Sequence, residues 1–118
     1  PDIVLAMTQA AADKYASDLD PEHGILIVDS ELVPSVPQAA HVVSVPITTL
    51  AIEKIGKVLF ANIVALGAIT RVSGIVPLDA VKKAVTHRVP PHTVDANMQA
   101  LMVGYEAAKM SSETNCPP

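Results

Sequence analysis

The stretch from Lys57 to Gly74, KVLFANIVALGAITRVSG, constrains this chain most, because it is apolar on nearly every side. Val58, Leu59, Phe60, Ile63, Val64, Leu66, Ile69 and Val72 cannot share one face at about 3.6 residues per turn. A helix here must be covered on several sides, which makes it a central element. Ala61, Ala65 and Ala68 recur at spacings of four and three, with Gly67 beside them, and form a smooth stripe that lets a neighbouring backbone come close. The residues leave open whether that neighbour is the same chain or another subunit.

The segments around this helix set the fold class. DIVLAM, from Asp2 to Met7, is a short continuous apolar run of the kind found in parallel strands covered on both faces. Thr8 is placed to cap a helix from Gln9 to Leu19 that turns Ala11, Ala12, Tyr15 and Leu19 inward. Asp20 to Gly24 supplies the break, and Ile25 to Val28 repeats the buried-strand signature before Asp29 and Ser30. A strand, helix, strand unit of this kind crosses over right-handedly in a parallel sheet. Pro34 and Pro37 mark an irregular segment, and His41 to Val45 reads as a further strand stopped by Pro46. Thr48 or Thr49 is expected to cap a short helix ending at Gly56. Beyond the central helix, Pro77 suits the first turn of a helix whose Leu78, Val81, Val85 and Val89 form one stripe opposite Lys82, Lys83, Thr86 and Arg88. Pro90 and Pro91 end it, and Thr93 can cap a last helix lined by Val94, Met98, Leu101, Met102 and Tyr105. The expected architecture is α/β, a Rossmann-like, mostly parallel sheet with flanking helices and a helix-rich C-terminal half. One domain spans residues 1–110 and residues 111–118 form a tail. Three strands make a thin sheet, and Pro1 leads directly into the first, so a longer parent chain with an upstream part is expected.

Composition narrows the function. Hydrophobic residues make up 50% of the chain and charged ones only 17%, which excludes disorder; this aliphatic, alanine-rich excess favours a buried interface. The net charge of −4 and a single Phe, two Tyr and no Trp remove the electrostatic and stacking basis for nucleic-acid binding. No apolar run spans a bilayer without Asn62 or a glycine interrupting it, and there is no signal-peptide pattern. One cysteine, Cys116, excludes a disulfide framework, points to the cytoplasm and cannot hold an iron–sulfur cluster, which typically takes four thiolates. His23, His41, His87 and His92 show no metal-ligand spacing, and no phosphate loop, nucleophile elbow or Cys/His pair is present. No catalytic residue and no metal ligand is therefore assigned. Asp29 and Ser30 close a buried strand, where ligands gather in open parallel sheets, although starting a loop is the plainer role. Asn62, alone on an apolar helix, could bond a ligand or partner, but a satisfied internal hydrogen bond is the favoured reading. Asn97 borders the stripe of the last helix, either as a contact to another chain or as the polar edge of an amphipathic helix.

Several motifs together carry a family resemblance. PDIVLAM, Asp13-Lys14-Tyr15, GILIVDSELV, VPIT, KVLFANIVALGAI, SGIVPLDAVKKAV and VDANMQALMVGYE resemble, in order, the gamma subunit of 2-oxoacid:ferredoxin oxidoreductases. The most specific parts are Ala61-Asn62 with Leu66-Gly67-Ala68, and Asn97 with Gly104-Tyr105-Glu106. Family members begin with a Gly-rich strand-to-helix turn and carry an Arg-Gly-Gly stretch, and neither occurs here, so the chain resembles the C-terminal two-thirds of such a subunit. The resemblance implies a complex that decarboxylates a 2-oxoacid on thiamine diphosphate, passes electrons through iron–sulfur clusters to ferredoxin and gives the acyl group to coenzyme A. It also implies that those cofactors sit on other chains, the alpha, beta and ferredoxin-like delta subunits, while this one packs beside them and helps shape the coenzyme A side. Asn62, Ala65, Gly67, Ala68, Asn97 and Tyr105 are the expected interface residues, and an isolated subunit is expected to be able to self-associate. The competing reading is a free-standing small-molecule-binding domain using the strand ends near Thr8 and Asp29.

Overall fold

The computed structural model describes residues 2–57 and 60–115, the last seven by their main chain alone. Val58 and Leu59, read above as part of the central helix, and Cys116 lie outside the described residues. The strands β1 (Ile3–Ala6), β2 (Ile25–Asp29) and β3 (His41–Val45) form a parallel sheet with β2 in the middle. Ile3 pairs with Ile25, and Ile25 with His41.

Strand periodicity sorts the side chains into two layers. Leu26 and Val28 of β2, with Val4 and Ala6 of β1, face Ala12, Ala16, Leu19 and Val33 on one side of the sheet. Ile27, Val43 and Val45 face the other side, against Ile47, Ala51, Ala61, Val64, Ala65 and Ala68. Leu26, Ile27 and Val28 are all fully buried, so the continuous apolar run is that of a middle strand with both faces covered.

Helix α1 (Gln9–Tyr15) covers the first face, and a tight turn, Ala16–Asp18, extends it. Tyr15 is 43% exposed, against the expectation that it points inward. Ala12, Ala16 and Leu19 pack against that side instead.

On the other face lie α2 (Ile47–Leu50), α3 (Ala61–Ser73) and α5 (Val94–Asn115), with α4 (Leu78–Arg88) outside them. Helix α2 starts before Thr48 and Thr49, so neither caps it: the Thr48 N–H donates to the Asp29 carboxylate and the Thr49 hydroxyl to Glu31. It runs into a wide turn, Ala51–Ile55, closed by Gly56 at φ 99°. The central helix therefore begins at Ala61 rather than Lys57 and ends, as expected, at Gly74, whose φ is 62°. Both glycines occupy the left-handed region that side chains avoid. Pro77 precedes α4 by one residue, with its carbonyl accepting from the Ala80 and Val81 N–H groups. Thr93 closes a tight turn by donating to the Pro90 carbonyl rather than acting as a cap acceptor. Helix α5 continues to Asn115, well into the segment read as a tail.

Candidate functional site

The carboxyl ends of the strands are the first place to look for ligand chemistry in a parallel sheet. Their polar groups are already engaged. Thr8 caps α1 by accepting from the Ala11 N–H at 3.2 Å. Gln9 donates to Asp13 at 2.9 Å and to the Ser35 carbonyl at 2.7 Å, and accepts from the Ser35 N–H at 3.0 Å, pinning the loop after β2 to α1. Asp29 is 0% exposed. Its Oδ1 accepts from the N–H groups of Glu31 and Leu32 at 3.0 and 3.2 Å, and its Oδ2 from Thr48 at 2.8 Å. The carboxylate thus ties the turn after β2 to the start of α2, and the backbone N–H of Ser30 donates to the Val45 carbonyl at 3.0 Å. Of the two roles open to Asp29 in the sequence, the structure gives it loop formation. The bond from Gln9 to the Ser35 carbonyl and that from the Thr48 N–H to Asp29, with Thr48 expected instead to cap a helix, were not foreseen from sequence, since their partners lie 26 and 19 residues away. Among the described residues no buried side-chain nitrogen or oxygen lacks a partner, and no three His, Cys, Asp or Glu side chains form a group that could hold a metal ion.

At the opposite end of β2, Asp20 accepts from the N–H groups of Glu22 and His23 at 2.8 and 2.9 Å. These bonds, Glu22 first, hold its carboxyl below the usual value of 3.8. His23 approaches the same oxygen at 3.6 Å. This cluster is a solvent-exposed turn lock.

The small-residue stripe is used within the chain. A methyl group added at Gly67 would overlap the Leu101 carbonyl and lie 2.8 Å from the Tyr105 nitrogen, and one added at Gly104 would overlap the Val64 carbonyl. Helices α3 and α5 therefore cross backbone to backbone, with Ala65 and Ala68 buried near the crossing. The buried face of α5 is Asn97, Ala100, Leu101, Gly104 and Ala108, whereas Met98, Met102 and Tyr105, expected to line it, are half-buried at its margins. Asn97 is 6% exposed and donates to the Thr93 carbonyl at 3.0 Å, one turn back. Tyr105 stacks under the Arg71 guanidinium at 5.6 Å, joining the two helices beside the crossing. Asn62 does not share this burial: it is exposed, so the internal hydrogen bond favoured from sequence is not its environment.

Between α3 and α4 runs an open groove of about 380 Å³, lined by Ile63, Leu66, Val76, Val81, Val85 and Arg88 among others. Its exposed wall is wholly apolar. Ile75, next to it in the α3–α4 loop, is 79% exposed. This explains the excess apolar surface of the central helix: one side meets the sheet and α5, and the side carrying Ile63 and Leu66 is only half-covered by α4.

Fold and site together define a parallel α/β packing domain, its polar groups spent on local structure and its apolar excess at helix surfaces. The model of the family described as pyruvate ferredoxin/flavodoxin oxidoreductase matches residues 1–107, and the chain belongs to that family. It is 39% identical over 112 residues to the 2-oxoglutarate synthase subunit KorC of Methanocaldococcus jannaschii, which takes in 92% of this chain and 59% of that protein. It is 32% identical over 120 residues to the pyruvate synthase subunit PorC of Thermotoga maritima, 94% of this chain and 62% of that one. The crystal structure of the keto/oxoacid ferredoxin oxidoreductase gamma subunit from Geobacter sulfurreducens has the same fold, with a TM-score of 0.88 and 41% identity, covering 92% of this chain and 64% of that one. The chain thus spans about three-fifths of the length of these relatives.

Proposed function

We propose that this chain is part of the gamma subunit of a 2-oxoacid:ferredoxin oxidoreductase complex and serves its assembly and its coenzyme A side. The observation that supports this most is the agreement of the family match, over nearly the whole chain, with the fold of a gamma subunit. In this reading the complex oxidatively decarboxylates a 2-oxoacid, transfers the acyl group to coenzyme A, releases carbon dioxide and passes the electron pair to ferredoxin. The names of the methanogen relatives make 2-oxoglutarate the first substrate to test.

A cluster typically takes four thiolates and this chain has one cysteine, so its residues do not fit an iron–sulfur centre. The family resemblance, not the composition, puts thiamine diphosphate and the clusters on alpha, beta and delta partners. No chemical step is derived through them. Asn62, exposed on α3, is available to a partner, whereas Ala65, Gly67, Ala68 and Asn97 act indirectly by fixing α3 against α5, and Tyr105 by holding Arg71. No helix among the described residues is long and apolar enough to cross a membrane. The complex is placed in the cytoplasm on the cysteine-poor composition.

The test is to express the full-length chain with and without its genomic neighbours, then apply size exclusion and a dye-reduction assay with several 2-oxoacids and coenzyme A. Activity is expected only in co-eluting complexes, fastest with 2-oxoglutarate. An inactive, monodisperse monomer in the presence of every neighbour overturns the reading.

A further inference from the structure

We draw no further inference here: the strongest candidate, the apolar groove between α3 and α4 lined by Ile63, Leu66, Val81 and Val85, carries none because nothing in the structure shows what covers it.

Discussion

Asp29 shows how one residue type can be read two ways until its neighbours are known. An acid at the carboxyl end of a buried strand is where a ligand is often held in this fold class. Here three N–H groups converge on it from two segments, and full burial leaves no water to replace them. Removing the acceptor strands those donors, each at a cost of roughly 1–3 kcal/mol. Asp29→Ala is therefore expected to destabilise the full-length chain by about 3 kcal/mol, and Asp29→Asn by less, since an amide oxygen can still accept from Glu31 and Leu32. Urea denaturation checks both. An unchanged midpoint for Asp29→Ala would mean that the carboxylate does not hold β2 to α2. Asn97 and Asn62 contrast in the same way: one amide turns inward to a carbonyl one turn away, while the other lies on the wet side of its helix.

Among the elements, α3 and α5 decide the architecture of the helical layer. Glycine inside a helix is intrinsically worse than alanine by about 1 kcal/mol, so propensity alone makes Gly67→Ala and Gly104→Ala stabilising. The crossing reverses the sign. At either position the new methyl meets a backbone carbonyl, which cannot swing aside as a side chain can, and the helices must separate. Each substitution is expected to cost about 3 kcal/mol or more, at or above the upper end of ordinary overpacking. Chemical denaturation of the single variants gives the sign directly, and a gain in stability at either position would exclude the close crossing. Helix α4 lacks such an anchor: Val85 is its one buried residue.

For the whole molecule, these differences in anchoring imply a gradient of stability. Segments with few buried apolar contacts open at lower free energy than the core. Amides of α4 are expected to exchange faster than those of α3, α5 and β2 in the isolated full-length chain. Hydrogen exchange followed by mass spectrometry measures this. Equal protection of α4 and those elements would rule the gradient out. The groove beside α4, exposed Asn62 and exposed Ile75 all lie on helices α3 and α4 or the loop joining them, on the opposite side of the sheet from α1.

Much of this was determined by the sequence alone. Short continuous apolar runs specify buried parallel strands, since strand periodicity leaves both faces in need of cover, and β1 and β2 fall where those runs lie, with β3 on the β-rich segment stopped by Pro46. Thr8, Gly56 and Gly74 mark helix ends because capping and left-handed backbone are local chemistry. The motif-borne resemblance named the family for the same reason: it is a property of the order and identity of residues. Tertiary structure decided the rest. Whether the alanine and glycine stripe met its own chain or another depended on α5, more than thirty residues further on, reaching Gly67 at backbone distance. Whether Asp29 was a ligand or a clasp depended on Thr48, and whether Tyr15 turned inward depended on which face of α1 met the sheet. Periodicity identifies which residues must be covered; only packing determines what covers them.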